Sequence, residues 1–272
     1  MRLAIALLLL VAPATVQAEG WPLEVVRRPP WLAPGLCEAS LVGEANLSPI
    51  DLWQPVSLAP DLACGGAGGI TLGVTHSARS LSLIDSGNGL CLTGEDGGCQ
   101  RPYDGGAIDL RAPVPGGHTA RVALRARLVA KSLEPFKPSA RLGALVRIGG
   151  AGGRLSLLAD PHISIALAAE ELGNRDFVAL PLTGQLQVGR VALELITGVR
   201  GDLRAWGEVF AIPIAFGVIA TPTDSIDVGL EAGWSKLLGP QNTFKQRHAA
   251  LLLTYRFGSA IPPPPAASYT AR

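Results

Sequence analysis

No stretch of this sequence reaches the roughly 20 consecutive apolar residues that a membrane-spanning helix requires, although 48% of its 272 residues are hydrophobic. Charge is scarce as well: charged residues make up 17% of the chain, against about a quarter in an ordinary soluble protein. A chain that is apolar overall but lacks a long apolar run must spread its hydrophobic residues in a short period. Formal net charge is only +1, so nothing points to nucleic acid or to an electrostatic hold on anionic lipid. There is no CxxC, no GxSxG, no HExxH, no phosphate loop and no cluster of metal ligands. No metal, cofactor or familiar hydrolase centre is therefore expected.

The ends of the chain differ from its middle. Arg2 precedes an apolar run from Leu3 to Ala12, and Val16-Gln17-Ala18 supplies small residues for cleavage. Residues 1–18 thus read as a signal peptide cut after Ala18, because the apolar run is too short to span a bilayer. Residues 19–35 are expected to form an N-terminal periplasmic segment, and residues 258–272, with Pro262 to Pro265, an extended Pro-rich tail. An exported chain meets an oxidising compartment, so Cys37, Cys64, Cys91 and Cys99 are expected in disulfides rather than on a metal. Three connectivities are possible. The most local one joins Cys91 to Cys99 around Leu92–Gly98 and Cys37 to Cys64.

Between about residue 105 and residue 257 the dominant signal is strict alternation. From Thr119 to Lys131, Ala120, Val122, Leu124, Ala126, Leu128 and Ala130 fall on one side, and Arg121, Arg125, Arg127 and Lys131 on the other. A strand sends successive side chains to opposite faces, whereas a helix would scatter these arginines around its circumference. The pattern recurs with Arg141 and Arg147 between apolar residues, with Arg154, Ser156, Asp160, His162 and Ser164, and with Glu194, Asp227 and Glu231 in later segments. Earlier in the chain Leu41–Leu47, Pro55–Leu58, Ile70–His76 and Gly106–Pro113 read as weaker strands.

Connections alternate in length. Gly/Pro-rich turns at 115–117, 149–153, 189–190 and 221–224 interleave with longer polar connections at 77–105, 132–139, 170–176, 202–206 and 237–243. Transmembrane barrels have short turns at one end, longer loops at the other and strands of roughly ten residues. A soluble sandwich also alternates, but its turns need no phase and its polar face is wet, not filled with Arg and small residues. The expected fold is all-β, an antiparallel transmembrane β-barrel of about 10–12 strands, occupying residues 36–257. Against it stand a low aromatic content of 5% and three prolines, Pro161, Pro181 and Pro213, inside proposed strands. Proline removes a ladder donor, so bulges or strand breaks are expected at those positions.

Leu251, Leu253, Tyr255 and Phe257 occupy alternate positions of the last strand. This pattern resembles the C-terminal signal strand of Gram-negative outer-membrane β-barrel proteins. The resemblance covers about nine residues; the departure is the tail that continues beyond Phe257. It implies insertion into outer-membrane lipid by the barrel-assembly machinery.

In a barrel the polar sets share one lumen. Arg121, Arg125, Arg127, Arg141, Arg147 and Arg154 would form a basic wall, with Glu194, Asp227 and Glu231 supplying acid from later strands. Two outcomes follow from that arrangement: a narrow channel for small polar solutes, filtered by charge, or an interior filled by ion pairs. Asp160, His162 and Ser164 share one strand face, which is the only hint of a nucleophile, base and orienter, and His248 is a second lumenal histidine. The long connection Ser77–Gly105, braced by Cys91 and Cys99, is the place for a surface interaction or adhesion site.

Overall fold

The computed structural model describes residues 21–47, 56–77, 79, 89–93, 103–115, 120–149, 153–240, 242 and 244–258. The expected signal peptide, Cys99, much of the Ser77–Gly105 connection and the Pro-rich tail after Gly258 lie outside the described residues.

Alternation produces strands β1 (Leu36–Asn46), β2 (Val56–Gly65), β3 (Thr71–Thr75), β4 (Gly89–Thr93), β5 (Tyr103–Asp104), β6 (Gly106–Val114), β7 (Ala120–Leu133) and β8 (Phe136–Gly149). They are followed by β9 (Leu155–Ala159), β10 (His162–Ala166), β11 (Phe177–Val188), β12 (Val191–Asp202), β13 (Phe210–Thr223), β14 (Ile226–Leu238) and β15 (Arg247–Gly258). Each antiparallel neighbour follows in turn, and β1 pairs with both β15 and β2, which closes the sheet. Short β9 and β10 lie end to end between β8 and β11, and β4 with β5 is a small excursion beside β2. The result is a closed antiparallel barrel of 12 strands. A closed ring leaves no edge, so every wall strand has ladder partners on both sides.

The two faces invert the pattern of a soluble protein. Leu124, Leu128, Leu142, Phe216, Leu230 and Leu251 are all exposed on the outside, while Arg127, Arg141, Ser164 and Glu194 are buried inside. Such an apolar girdle is matched to lipid tails. Stacked pairs Trp206–Phe210 and Tyr255–Phe257 lie at opposite ends of it, with ring centroids 6.3 and 6.0 Å apart. Leu230 lies near the middle of β14 and is 57% exposed. Leu230→Arg is expected to destabilise the barrel by about 2–4 kcal/mol, read as a fall in the urea midpoint in lipid bilayers. Phe244→Arg, in the connection before β15, is expected to leave that midpoint in place.

Two sequence expectations are corrected. The polar run 132–139 is not a long connection: β7 and β8 continue to Leu133 and Phe136, leaving only Glu134-Pro135 between them. Its polarity marks strand ends that rise beyond the apolar girdle. Pro181 brings neither a bulge nor a break; it stays in register opposite Gly198. Gly198 has φ 146°, and a Cβ there would fall 2.3 Å from the carbonyl oxygen of Leu180, so only glycine fits. Pro161 does break the strand, separating β9 from β10 without changing register on either side. Pro213 sits in the register shift between Ile212 and Ile214, and the β12–β13 ladder skips from Ile196↔Ala215 to Arg200↔Ala211. The ladder is therefore relaxed in one patch of wall where Pro181, Gly198 and Pro213 adjoin.

Candidate functional site: a lumen closed from within

Inward-facing residues at matching ladder positions form rows across the wall. One row runs Asp109↔Arg127↔Arg141↔Ser164↔Phe177↔Asp202 over β6, β7, β8, β10, β11 and β12. Here Asp109 accepts from Arg125 Nε (2.7 Å) and Arg111 Nε (2.7 Å), while Asp160 Oδ2 accepts from Arg125 Nη1 (2.9 Å) and Arg127 Nη2 (3.1 Å). Arg200, Lys131 and Arg141 stand 4.0, 4.9 and 5.2 Å from the centre of the buried Phe177 ring. The negative face of the ring is what allows cations to gather there.

Nearer the short-turn end of the same wall a second network begins at Arg147 of β8, whose Nη1 donates to Val25 O (3.1 Å), Ser156 Oγ (3.0 Å) and Gln185 Oε1 (2.5 Å). Gln185 Nε2 donates to Glu194 Oε1 (2.7 Å). The other oxygen of Glu194 takes Arg79 Nη2 at 2.6 Å, and Arg79 Nη1 reaches Glu231 Oε2 at 2.6 Å. His248 Nε2 lies 3.3 Å from Glu231 Oε1.

Arg79 comes from the opposite side. The chain leaves the wall after β3, where Asp61 accepts from the backbone N–H groups of His76 (2.6 Å) and Ser77 (3.0 Å) and from Ser77 Oγ (2.6 Å). Around the ring β3 is six positions from β12 in either direction, through β11 or through β13. Arg79 therefore spans the barrel across a diameter. Arg79, near the start of the Ser77–Gly105 connection, thus reaches into the lumen, while most of the stretch expected to carry a surface site lies outside the described residues.

At the short-turn end the lumen is occupied by residues 21–34. Trp21, Val25, Val26 and Arg28 are buried, and residues Val25–Arg27 form one turn of 3-10 helix. Arg28 is the anchor: Nη1 and Nη2 donate to Asp227 Oδ2 (2.5 Å) and Oδ1 (3.0 Å), and Nη2 also reaches Thr221 Oγ1 (3.1 Å). Arg256 binds the same carboxylate and, through Nε, Glu38 (2.8 Å). Val26 N donates to Gln187 (3.5 Å), Leu32 N to Thr71 Oγ1 (2.8 Å), and Arg121 to Arg27 O. Between this segment and Arg79 remains a cavity of about 400 Å³.

Of the residues singled out from sequence, Arg125, Arg127, Arg141, Arg147, Glu194 and Asp227 are buried on the inner face. Glu231 faces the same space through Arg79, and Arg121 is partly exposed beside residues 21–34. Arg154 is exposed before β9. Leu251, Leu253, Tyr255 and Phe257 lie on the strand that closes the ring against β1. Cys37 is bonded to Cys64. Cys91 is also disulfide-bonded, and its expected partner Cys99 lies outside the described residues.

The Asp160, His162 and Ser164 set does not form a relay. His162 Nδ1 bonds to the backbone oxygen of Asp160 (2.8 Å), the Asp160 carboxylate serves two arginines, and Ser164 Oγ has no bond to His162. Among the described residues no group of three or more His, Cys, Asp or Glu side chains is placed to hold a metal ion. Arg28 and Arg79 carried no periodic signal. The only local hint for Arg28 was a basic pair followed by Pro29-Pro30, an extended stretch ahead of the first strand.

No family profile matches the sequence, and no curated protein matches it. Solved structures do. The KdgM porin in complex with disordered oligogalacturonate superposes with a TM-score of 0.53 at 9% identity, covering 80% of this chain and 98% of that one. The NanC porin gives a TM-score of 0.54 at 6% identity, with the same coverages of 80% and 98%. At such identity the likeness is one of fold.

Proposed function

We propose that the chain is a narrow outer-membrane channel for small polar solutes, with a mixed-charge lumen that its own chain holds closed in this conformation. The observation that carries the reading is Arg79, which crosses from β3 to Glu194 and Glu231 on the far wall and leaves below it a cavity lined by both ion-paired and apolar residues. A barrel that served only as a scaffold would be sealed by wall-to-wall ion pairs. Here both closures come from segments outside the wall, which can leave without breaking the ladder. The porin-like fold and the apolar girdle support placement in a Gram-negative outer membrane. Export would follow cleavage after Ala18, and insertion by the barrel-assembly machinery would use the last strand. The short-turn end, with residues 21–34, would then be periplasmic.

Two measurements test this. Fractionation with the outer membrane and heat-modifiable migration on a denaturing gel are expected for the mature chain; a freely soluble monomer without detergent would overturn the placement. In planar bilayers small, infrequent conductance steps are expected, and Arg79→Ala is expected to make them more frequent. A membrane that stays sealed with every lumen variant would make the barrel structural.

A further inference from the structure

We infer that the two arginines closing the lumen, Arg28 and Arg79, also set its ion selectivity: in place they favour small anions, and their withdrawal favours cations. The inference rests on the channel reading of the same lumen. It starts from a division of the wall. Strands β6, β7 and β8 carry three arginine pairs directly opposite one another, Arg111↔Arg125, Arg127↔Arg141 and Arg121↔Arg147. Like charges in such positions destabilise a sheet, so this density of cations is kept against the stability of the wall. The carboxylates bonded to it, Asp109 and Asp160, are each shared by two arginines. Arg121 and Arg147 donate to neutral oxygens.

Opposite those strands the wall is acidic. Strand β14 is six positions from β7 in either direction around the ring. It carries Asp227 and Glu231, with Glu194 on β12 and Glu38 on β1 to either side. Within the wall Arg256 joins Asp227 to Glu38. The other two arginines on these acids come from outside the wall, Arg28 on Asp227 and Arg79 on Glu194 and Glu231. With both present the four carboxylates meet three arginines; without them, one.

Coverage matters as much as number. The side chains of Glu194, Asp227 and Glu231 are 0%, 9% and 11% exposed beneath their partners, whereas those of Arg79 and Arg111 are 30% and 21% exposed and line the cavity. Of the four wall acids Glu38 alone stays open, 31% exposed beside Arg256. A solute in the cavity therefore meets guanidinium groups ahead of most carboxylates. Narrow walls of low dielectric constant focus the field of such charges and enrich their counter-ions. Removing the Arg79 side chain uncovers two carboxylates and takes away an exposed cation at the same time. Removing residues 21–34 uncovers a third.

Reversal potentials of the mature chain in planar bilayers test the inference, under a potassium chloride gradient near about 0.1 M, where charges are screened over about 10 Å. The unaltered chain is expected to pass chloride about threefold over potassium. Arg79→Lys, which keeps the charge, is expected to hold that preference. Arg79→Met, which keeps much of the length and loses the charge, is expected to abolish or reverse it. Arg79→Met in a chain lacking residues 21–34 is expected to favour potassium about threefold. Larger currents with an unchanged reversal potential would overturn the inference and leave the channel standing, because obstruction alone changes the size of the current and not the ion that carries it. Potassium preference in the unaltered chain would overturn it as well. A bilayer that stays sealed with every variant sinks the channel reading, and the inference with it.

Discussion

Asp227→Asn is expected to lower the stability of the barrel by about 3 kcal/mol, the lower end of the cost of breaking a buried ion pair, read as a fall in the urea midpoint in lipid. Asp227 is 6% exposed and serves two arginines at once. Asparagine keeps the volume and one acceptor but removes the charge. Beside that neutral amide oxygen, Arg28 retains the Pro22 and Leu23 carbonyls and Thr221, and Arg256 retains Glu38. Those partners keep the cost from reaching the upper end of the range. Arg28→Leu combined with Asp227→Leu is expected to recover most of the loss, because no buried charge is then left without its counterpart. Equal midpoints for all three proteins would show that Arg28 is hydrated and that residues 21–34 do not rest on this pair.

The same pair shows where sequence reading stops. Side-chain alternation is a local property, so Thr119–Lys131 declared its two faces without reference to any other strand. The alternation of connection lengths then carried the strand count and the direction of the chain at each pass. Even proline was partly legible: Pro161 and Pro213 interrupt the ladder as their missing N–H demands, whereas Pro181 is accommodated because Gly198 faces it. Contacts of long sequence separation had no such local trace. Arg28 meets a carboxylate 199 residues away, and Arg79 meets Glu231 at a separation of 152. Both arginines lie outside strands, where composition says only that a segment is polar. The run 132–139 misled for a related reason, since polarity alone does not distinguish a loop from a strand end above the girdle.

Removing both closures is expected to raise conductance far more than the sum of removing either. Residues 21–34 and Arg79 obstruct the lumen at different depths, so an ion meets them one after the other. Obstructions in sequence add as resistances, and the larger dominates. Deleting residues 21–34 leaves Arg79 pinned to Glu194 and Glu231; Arg79→Ala leaves Arg28 in place on Asp227. Each single change is therefore expected to increase single-channel current severalfold at most, and the double change to give a steady open level well above both. The two closures also share atoms: Val25 O, Arg147, Gln185, Glu194 and Arg79 form one unbroken chain of hydrogen bonds. Withdrawing residues 21–34 takes an acceptor from Arg147 and loosens its hold on Gln185, and through it on Glu194. The deletion alone should thus make brief full openings more frequent, because Arg79 is then held by a less rigid partner. Strictly additive currents, with no change in opening frequency in either single variant, would mean parallel paths through the barrel and would refute the serial arrangement.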